Sequence, residues 1–248
     1  MISRDLIKTL IGTLDLTSLN DSDDEAVIRQ LCEDANNPVQ PVAAVCVTPK
    51  FVVLARQFST KIPVATVANF PSGEEDIETV LESVRASLRD GADEIDVVFP
   101  YQSYLRGEKT KAIDLIQKVK AICGDRALLK VILETGALPN AESIRELATA
   151  ALQAGADFLK TSTGKTAQGA TLDAARILLE VIRDQGGHGG IKISGGVRTT
   201  EQALDYYRLT QKILGEHWPK KETFRIGASS LLKSLLMVYD SFPLLLSE

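Results

Sequence analysis

Several short apolar runs carry charges where a buried segment would not ordinarily tolerate them. Glu94-Ile-Asp96-Val-Val-Phe holds Asp96, and Leu128-Leu-Lys130-Val-Ile-Leu-Glu134 holds Lys130 and Glu134. Phe158-Leu-Lys160-Thr-Ser holds Lys160, Gly190-Ile-Lys192-Ile-Ser holds Lys192, and Asp15 stands in an earlier run. Runs of this kind read as buried strands, and burying unpaired charge is costly. Successive strand residues face opposite sides. Ile95, Val97 and Phe99 therefore oppose Asp96, Val131 and Leu133 oppose Lys130 and Glu134, Ile191 and Ile193 oppose Lys192, and Leu159 opposes Lys160. One face of each strand stays apolar, and the other carries charge. A purely structural set of ion pairs is the plain alternative. Three lysines with two or three acids on separate strands favour a functional site.

Buried lysines have a definite chemistry. A free lysine titrates near 10.4, so almost none is neutral at pH 7. A nucleophilic lysine must be neutral, and burial and a neighbouring cation both lower its pKa. A drop of two to three units corresponds to roughly 3–4 kcal/mol of differential solvation. Lys160 and Lys192 fall near the ends of neighbouring strands, so each is placed to depress the other. One would attack a carbonyl and form a Schiff base. The other, with a carboxylate such as Asp96, would move protons. The spacing alone does not decide which lysine is the nucleophile. With only two histidines, His188 and His217, and no Cys/His cluster, no metal site is expected.

The elements that position these residues alternate. Strands are expected at Ile11–Leu16, Val42–Val47, Val64–Ala68, Glu94–Phe99, Leu128–Glu134, Phe158–Ser162, Gly190–Ser194 and Phe224–Gly227. Glu74–Arg89, Asn140–Gln153 and Leu172–Arg183 show helical spacing; Ile77, Val80, Leu81, Val84 and Leu88 define the first stripe. Gly91 and Gly155 stand where helices should stop. Alternation of strand and helix means a parallel sheet. The 248 residues divide into eight units of about 31 each, close to what a strand, a helix and two short loops need. The expected fold class is α/β, a single (β/α)₈ TIM barrel over 1–248, with 237–248 a C-terminal tail of unassigned packing.

Loops after the late strands suit an anion. Ser162-Thr163-Gly164-Lys165 follows Lys160, Gly195-Gly196-Val197-Arg198 follows Lys192, and Gly227-Ala228-Ser229-Ser230 follows the last strand. Small residues let backbone N–H groups approach a phosphate. The expected phosphate-binding set is Gly164, Lys165, Gly195, Gly196, Gly227, Ser229 and Ser230. Gly164-Lys165-Thr166 is not a P-loop, because its earlier glycine position is Leu159. The glycines around His188 do not complete a dinucleotide fingerprint, because Lys192 occupies its last glycine position. Cys46 shares a face with Ala44 and Thr48 and is a candidate to line the site.

Composition excludes several classes. Net charge is −5, which argues against nucleic acid as a partner. No apolar run approaches a bilayer span, and the first residues lack a signal-peptide core. Three widely spaced cysteines, Cys32, Cys46 and Cys123, point to reduced thiols and a cytoplasmic location.

Six phrases, in order, resemble the deoxyribose-phosphate aldolase family: Asp15-Leu-Thr-Ser-Leu, Glu94-Ile-Asp-Val-Val-Phe-Pro, Leu129-Lys-Val-Ile-Leu-Glu-Thr-Gly, Phe158-Leu-Lys-Thr-Ser-Thr-Gly-Lys, Lys192-Ile-Ser-Gly-Gly-Val-Arg and Phe224-Arg-Ile-Gly-Ala-Ser-Ser. The match spans about residues 10 to 236. The resemblance implies a class I aldolase that reversibly cleaves 2-deoxyribose 5-phosphate to glyceraldehyde 3-phosphate and acetaldehyde. It assigns Lys160 as the Schiff-base lysine and Lys192 as the second lysine, which lowers the pKa of the first. It assigns Asp96 to the proton relay, through an ordered water. Asp15, Lys130, Thr163 and Cys46 are the expected further substrate contacts. The implied enzyme uses no cofactor, takes phosphorylated sugars and short aldehydes, and admits a homodimer. Ile193 departs from the family pattern, where a smaller residue or proline is expected; its side chain should face the helices. Two rival readings stand beside this one. One is another metal-free lysine aldolase, and the other a catalytically silent barrel that binds a sugar phosphate.

Overall fold

The structure is a computed structural model and describes residues 2–242. Eight parallel strands close into a barrel in chain order, with β8 pairing back onto β1. The first half of the chain runs α1 (Arg4–Gly12), β1 (Leu14–Thr17), α2 (Glu25–Ala35), β2 (Ala44–Val47), α3 (Val52–Phe58), β3 (Val64–Ala68), α4 (Ile77–Arg89) and β4 (Glu94–Val98). The second half runs α5 (Tyr101–Leu105), α6 (Lys109–Cys123), β5 (Leu128–Ile132), α7 (Ala141–Gln153), β6 (Phe158–Lys160), α8 (Leu172–Asp184), β7 (Gly190–Ser194), α9 (Thr200–Leu214), β8 (Phe224–Ala228) and α10 (Leu231–Ser241). The expected (β/α)₈ barrel is present.

Local chemistry sets the helix starts. Ser3, Asp24, Asp76, Asn140, Thr171 and Thr199 each accept a backbone N–H from the first turn of the following helix. Thr199 does so within a capping box completed by Gln202. Gly91 and Gly155 follow α4 and α7, as the sequence indicates, each at φ +102°.

Three expectations need correction. Ile11 is not in the first strand. Ile7, Leu10 and Ile11 are buried at helical spacing, so residues 4–12 form α1 and β1 begins only at Leu14. At the strand exits, Phe99, Leu133, Glu134, Thr161 and Ser162 lie beyond the ladder. Glu134 takes a left-handed backbone, φ +51°, so its expected place beside Lys130 on the inward face is lost. Finally, Met237–Ser241 are no separate tail but continue α10; residues 243–248 lie outside the described residues. Arg4 donates to the Phe242 carbonyl and lies 4.9 Å over the Tyr239 ring, tying the start of the chain to the end of α10.

The main core lies between strands and helices. It takes the outward strand residues, including Ile95, Val97, Leu129, Val131, Leu159, Ile191 and Ile193, so Ile193 does face the helices. The barrel interior is divided. Ala44, Cys46, Ala65 and Val67, from β2 and β3, form a separate small apolar cluster with Leu19. The opposite side is charged.

Candidate active site

Strand register assembles the charged half. Lys160 on β6 is the register partner of Lys192 on β7, and Lys192 is the partner of Arg225 on β8. Asp96 on β4 is the partner of Lys130 on β5. Partners on adjacent strands lie about 4.8 Å apart, so alternation and register alone bring these side chains together. Asp96 is the hub. Its Oδ2 accepts hydrogen bonds from Lys160 and Lys192, both at 2.7 Å, and its Oδ1 accepts from Lys130 at 2.9 Å. Lys192 also pairs with Asp15 at 2.6 Å, and Lys130 donates to Glu94 at 2.5 Å. Below them Arg225 donates to Asp15 at 2.6 Å and to Glu94 at 3.1 Å.

The electrostatics separate the lysines. Burial pushes the Lys160 amine down; Asp96 opposes this and the Lys192 cation adds to it, leaving Lys160 below the ordinary lysine value. Burial would lower Lys192 as well, but Asp15 and Asp96 outweigh it and hold that proton well above the usual range. Lys130 is raised, because Asp96, Glu94 and Asp15 overcome its burial. Burial would raise the Asp96 carboxyl, yet Lys130, Lys160 and Lys192 hold it well below the carboxylate range. The interior thus contains one amine biased toward neutrality and two held as cations.

Above Lys160 a cavity of about 210 Å³ opens at the C-terminal rim. Its wall includes Thr163, Gly164, Lys165, Gly195, Gly196, Gly227, Ser229 and Ser230, together with Arg198. The expected phosphate loops therefore meet at one place. Ser230 begins α10 without a side-chain cap on the helix, so the first N–H groups of α10 keep their donor capacity. Gly195 (φ +92°) could not carry a side chain: a Cβ there would lie 2.9 Å from Gly169 Cα. Gly227 is required by close approach. A Cβ would lie 2.9 Å from Lys192 Cε and 3.2 Å from Ser194 Cβ.

The loop after β6 is held from two sides. Glu134 accepts from the Thr163 hydroxyl at 2.5 Å and from the Thr166 hydroxyl at 3.2 Å. Thr161 Oγ1 donates to the Ser194 carbonyl and accepts from the Ser194 N–H, at 3.0 and 2.9 Å. These bonds fix the exits of β6 and β7, the strands that carry the two central lysines.

Three expected substrate contacts lie elsewhere. Asp15 and Lys130 are wholly buried beneath the cavity, bound to Lys192, Arg225, Asp96 and Glu94. Cys46 is wholly buried in the apolar half of the interior and is absent from the cavity wall. Thr163 is on the wall, with its hydroxyl taken by Glu134. Sequence reasoning missed Arg225, the pairing role of Glu94, and Thr17, Leu19 and Asn20 on the cavity wall. Arg225 stands two residues before Gly227, so strand alternation already places both on one face. A larger cleft of about 510 Å³ lies at the strand N-termini, around Arg56, Asp93, Lys120 and Asp157. It reaches the charged interior only at Glu94, and its Arg56 and Lys120 are paired with Asp93 and Asp157. Among the described residues no group of His, Cys, Asp and Glu is arranged to hold a metal, and no helix is long and apolar enough to cross a membrane.

A closed eight-stranded parallel barrel wrapped by helices is a (β/α)₈ barrel, a fold whose enzymes carry their sites at the strand C-termini, where the small-residue cavity lies here. The family model for DeoC/LacD family aldolases matches residues 9–236, and the chain belongs to that family. It is similar to a provisionally named deoxyribose-phosphate aldolase of Toxoplasma gondii, at 28% identity over 98% of each chain with a TM-score of 0.89. It is also similar to the tetrameric deoxyribose phosphate aldolase of Aeropyrum pernix, at 25% identity over 95% of this chain and 92% of that one, with a TM-score of 0.76.

Proposed function

We propose that the protein is a class I aldolase that reversibly cleaves 2-deoxy-D-ribose 5-phosphate to D-glyceraldehyde 3-phosphate and acetaldehyde. The observation that carries this reading is the Lys160–Asp96–Lys192 arrangement, with both amines 2.7 Å from one carboxylate oxygen beneath a small-residue cavity.

The neutral Lys160 amine attacks C1 of the open-chain sugar. Loss of water gives a protonated Schiff base. Removal of the C3 hydroxyl proton lets the C2–C3 bond break, and its electron pair flows into the iminium. Glyceraldehyde 3-phosphate leaves. The enamine left on Lys160 gains a proton at C2 and is hydrolysed to acetaldehyde. Lys192, a cation in the resting site, supports the low pKa of Lys160; it gives a proton to the enamine C2 through the polar cluster and regains one through Asp96. Asp96, ionised at rest, orients both amines, takes the C3 hydroxyl proton through a water and passes it on toward Lys192. Lys165, Gly195, Gly196 and the start of α10 hold the phosphate. These steps use amines and a carboxylate of this chain alone.

The test is cleavage of 2-deoxyribose 5-phosphate, followed by acetaldehyde release in the presence of a strong chelator. Activity is expected to persist, and Lys160→Ala is expected to lose at least about 10³-fold in kcat. Full turnover by Lys160→Ala would refute the assignment. Preference for another phosphorylated sugar would refute the substrate.

A further inference from the structure

Among the buried charges that take no part in the bond-breaking steps, Arg225 has the fixed proton. Arg225 does not line the cavity. Its guanidinium donates to Asp15 from β1 and Glu94 from β4, and its Nε donates to the Lys221 carbonyl. The Phe158 ring of β6 lies 5.7 Å away, and Lys192 is its register partner on β7. Four cations, Lys130, Lys160, Lys192 and Arg225, thus face three acids, Asp15, Glu94 and Asp96. The remaining titratable groups do not correct the imbalance. Cys46 is a thiol in the apolar half, and the buried carboxylate of Glu134 lies above the ladder on Thr163 and Thr166, paired with none of the four cations.

A water-excluded interior does not hold an unbalanced charge cheaply. Arginine does not give up its proton, so the vacancy falls on a lysine. Lys130 touches three carboxylates and Lys192 two, whereas Lys160 touches only Asp96. Lys160 is the least tied.

We propose that Arg225 is the charge-setting residue of this site: by occupying Asp15 and Glu94 it leaves the lysines one acid short, and the proton given up is that of Lys160. The inference rests on the reading of Lys160 as the nucleophile and adds what makes that amine neutral. Arg225 acts through other residues, so it is a positioning residue and does not touch substrate.

The test is the pH profile of kcat/KM, which reports the free enzyme's ionisations. Arg225→Met leaves three cations against three acids. Its acid limb is expected to move up by about one pH unit or more, with roughly a tenfold loss near neutrality and recovery at alkaline pH. Arg225→Lys keeps the charge and is expected to keep the wild-type limb. Glu94→Gln removes an acid and is expected to move the limb down. If Arg225→Met does not fold, the Glu94→Gln shift carries the test. A merely structural Arg225 lowers the rate equally at every pH, and an unmoved limb in both variants overturns the proposal. Borohydride trapping separates the two layers. Wild type that traps on Lys160 while the limbs stay fixed sinks the Arg225 inference alone; wild type that never traps there sinks both.

Discussion

The reactive amine differs from its two neighbours by how many carboxylates it touches. Lys160 has one, and that is why burial and Lys192 together bring it below an ordinary lysine. The sign of the pH dependence follows. Activity should fall as pH drops through the Lys160 pKa, because the amine then gains a proton and stops being a nucleophile. Gly227→Ala tests the geometry at this scale. The added methyl would lie 2.9 Å from Lys192 Cε, so the Lys192 side chain must shift, disturbing its pairs with Asp96 and Asp15. A 10- to 100-fold loss of kcat, with the circular dichroism spectrum unchanged, is the expected order of effect. Wild-type turnover would show that the position of Lys192 is not critical. Strand alternation in the sequence exposed Asp96, Lys130, Lys160 and Lys192, since each interrupts an apolar face. It could not rank them. That Lys130 and Asp15 lie beneath the cavity while Lys160 borders it depends on register between strands, which no single strand contains. Arg225 carries the same signal, a charge between the apolar Phe224 and Ile226, but an arginine, always protonated, cannot serve as the nucleophilic amine, and a search for that amine passes it over.

Among the elements, β6, β7 and β8 and the loops above them carry the site, and their boundaries are local chemistry. The capping box of Thr199 and Gln202 starts α9 immediately after the Gly195–Arg198 loop. Thr199→Ala should cost about 1 kcal/mol of stability, read from urea unfolding. Because the same bonds set the far end of that loop, KM for a phosphorylated substrate should rise more than kcat falls. A change in kcat alone would contradict the placement of the phosphate at this rim. Strand existence was legible from apolar runs, while strand ends were not. Residues 11 and 134 show why. Ile11 satisfies an apolar strand as well as the stripe of α1, and the left-handed turn at Glu134 has no signature in an acidic residue.

For the whole molecule, the buried ions couple folding to pH. Burial would raise Asp15 and Asp96, but the surrounding cations hold both below their ordinary values. The unfolded chain therefore binds more protons than the folded one below about pH 4. Stability from this source is complete above that pH and is lost as pH falls further. Replacing Asp96 by Asn should flatten the acid slope of the stability curve. An unchanged slope would mean that Asp96 is not depressed. All three cysteines are buried, and burial pushes the Cys123 thiol up to about 11. A thiol reagent at pH 8 should therefore modify none of them in the folded protein and all three in denaturant.

The mechanism stands on a covalent intermediate at Lys160. Incubation with acetaldehyde and sodium borohydride, followed by peptide mapping, tests it most directly. A single N-ethyl group is expected on the peptide containing Lys160, with enzyme activity lost in proportion. Ethylation of Lys192 or Lys130 instead, or no adduct in an enzyme that still cleaves the sugar phosphate, would contradict it.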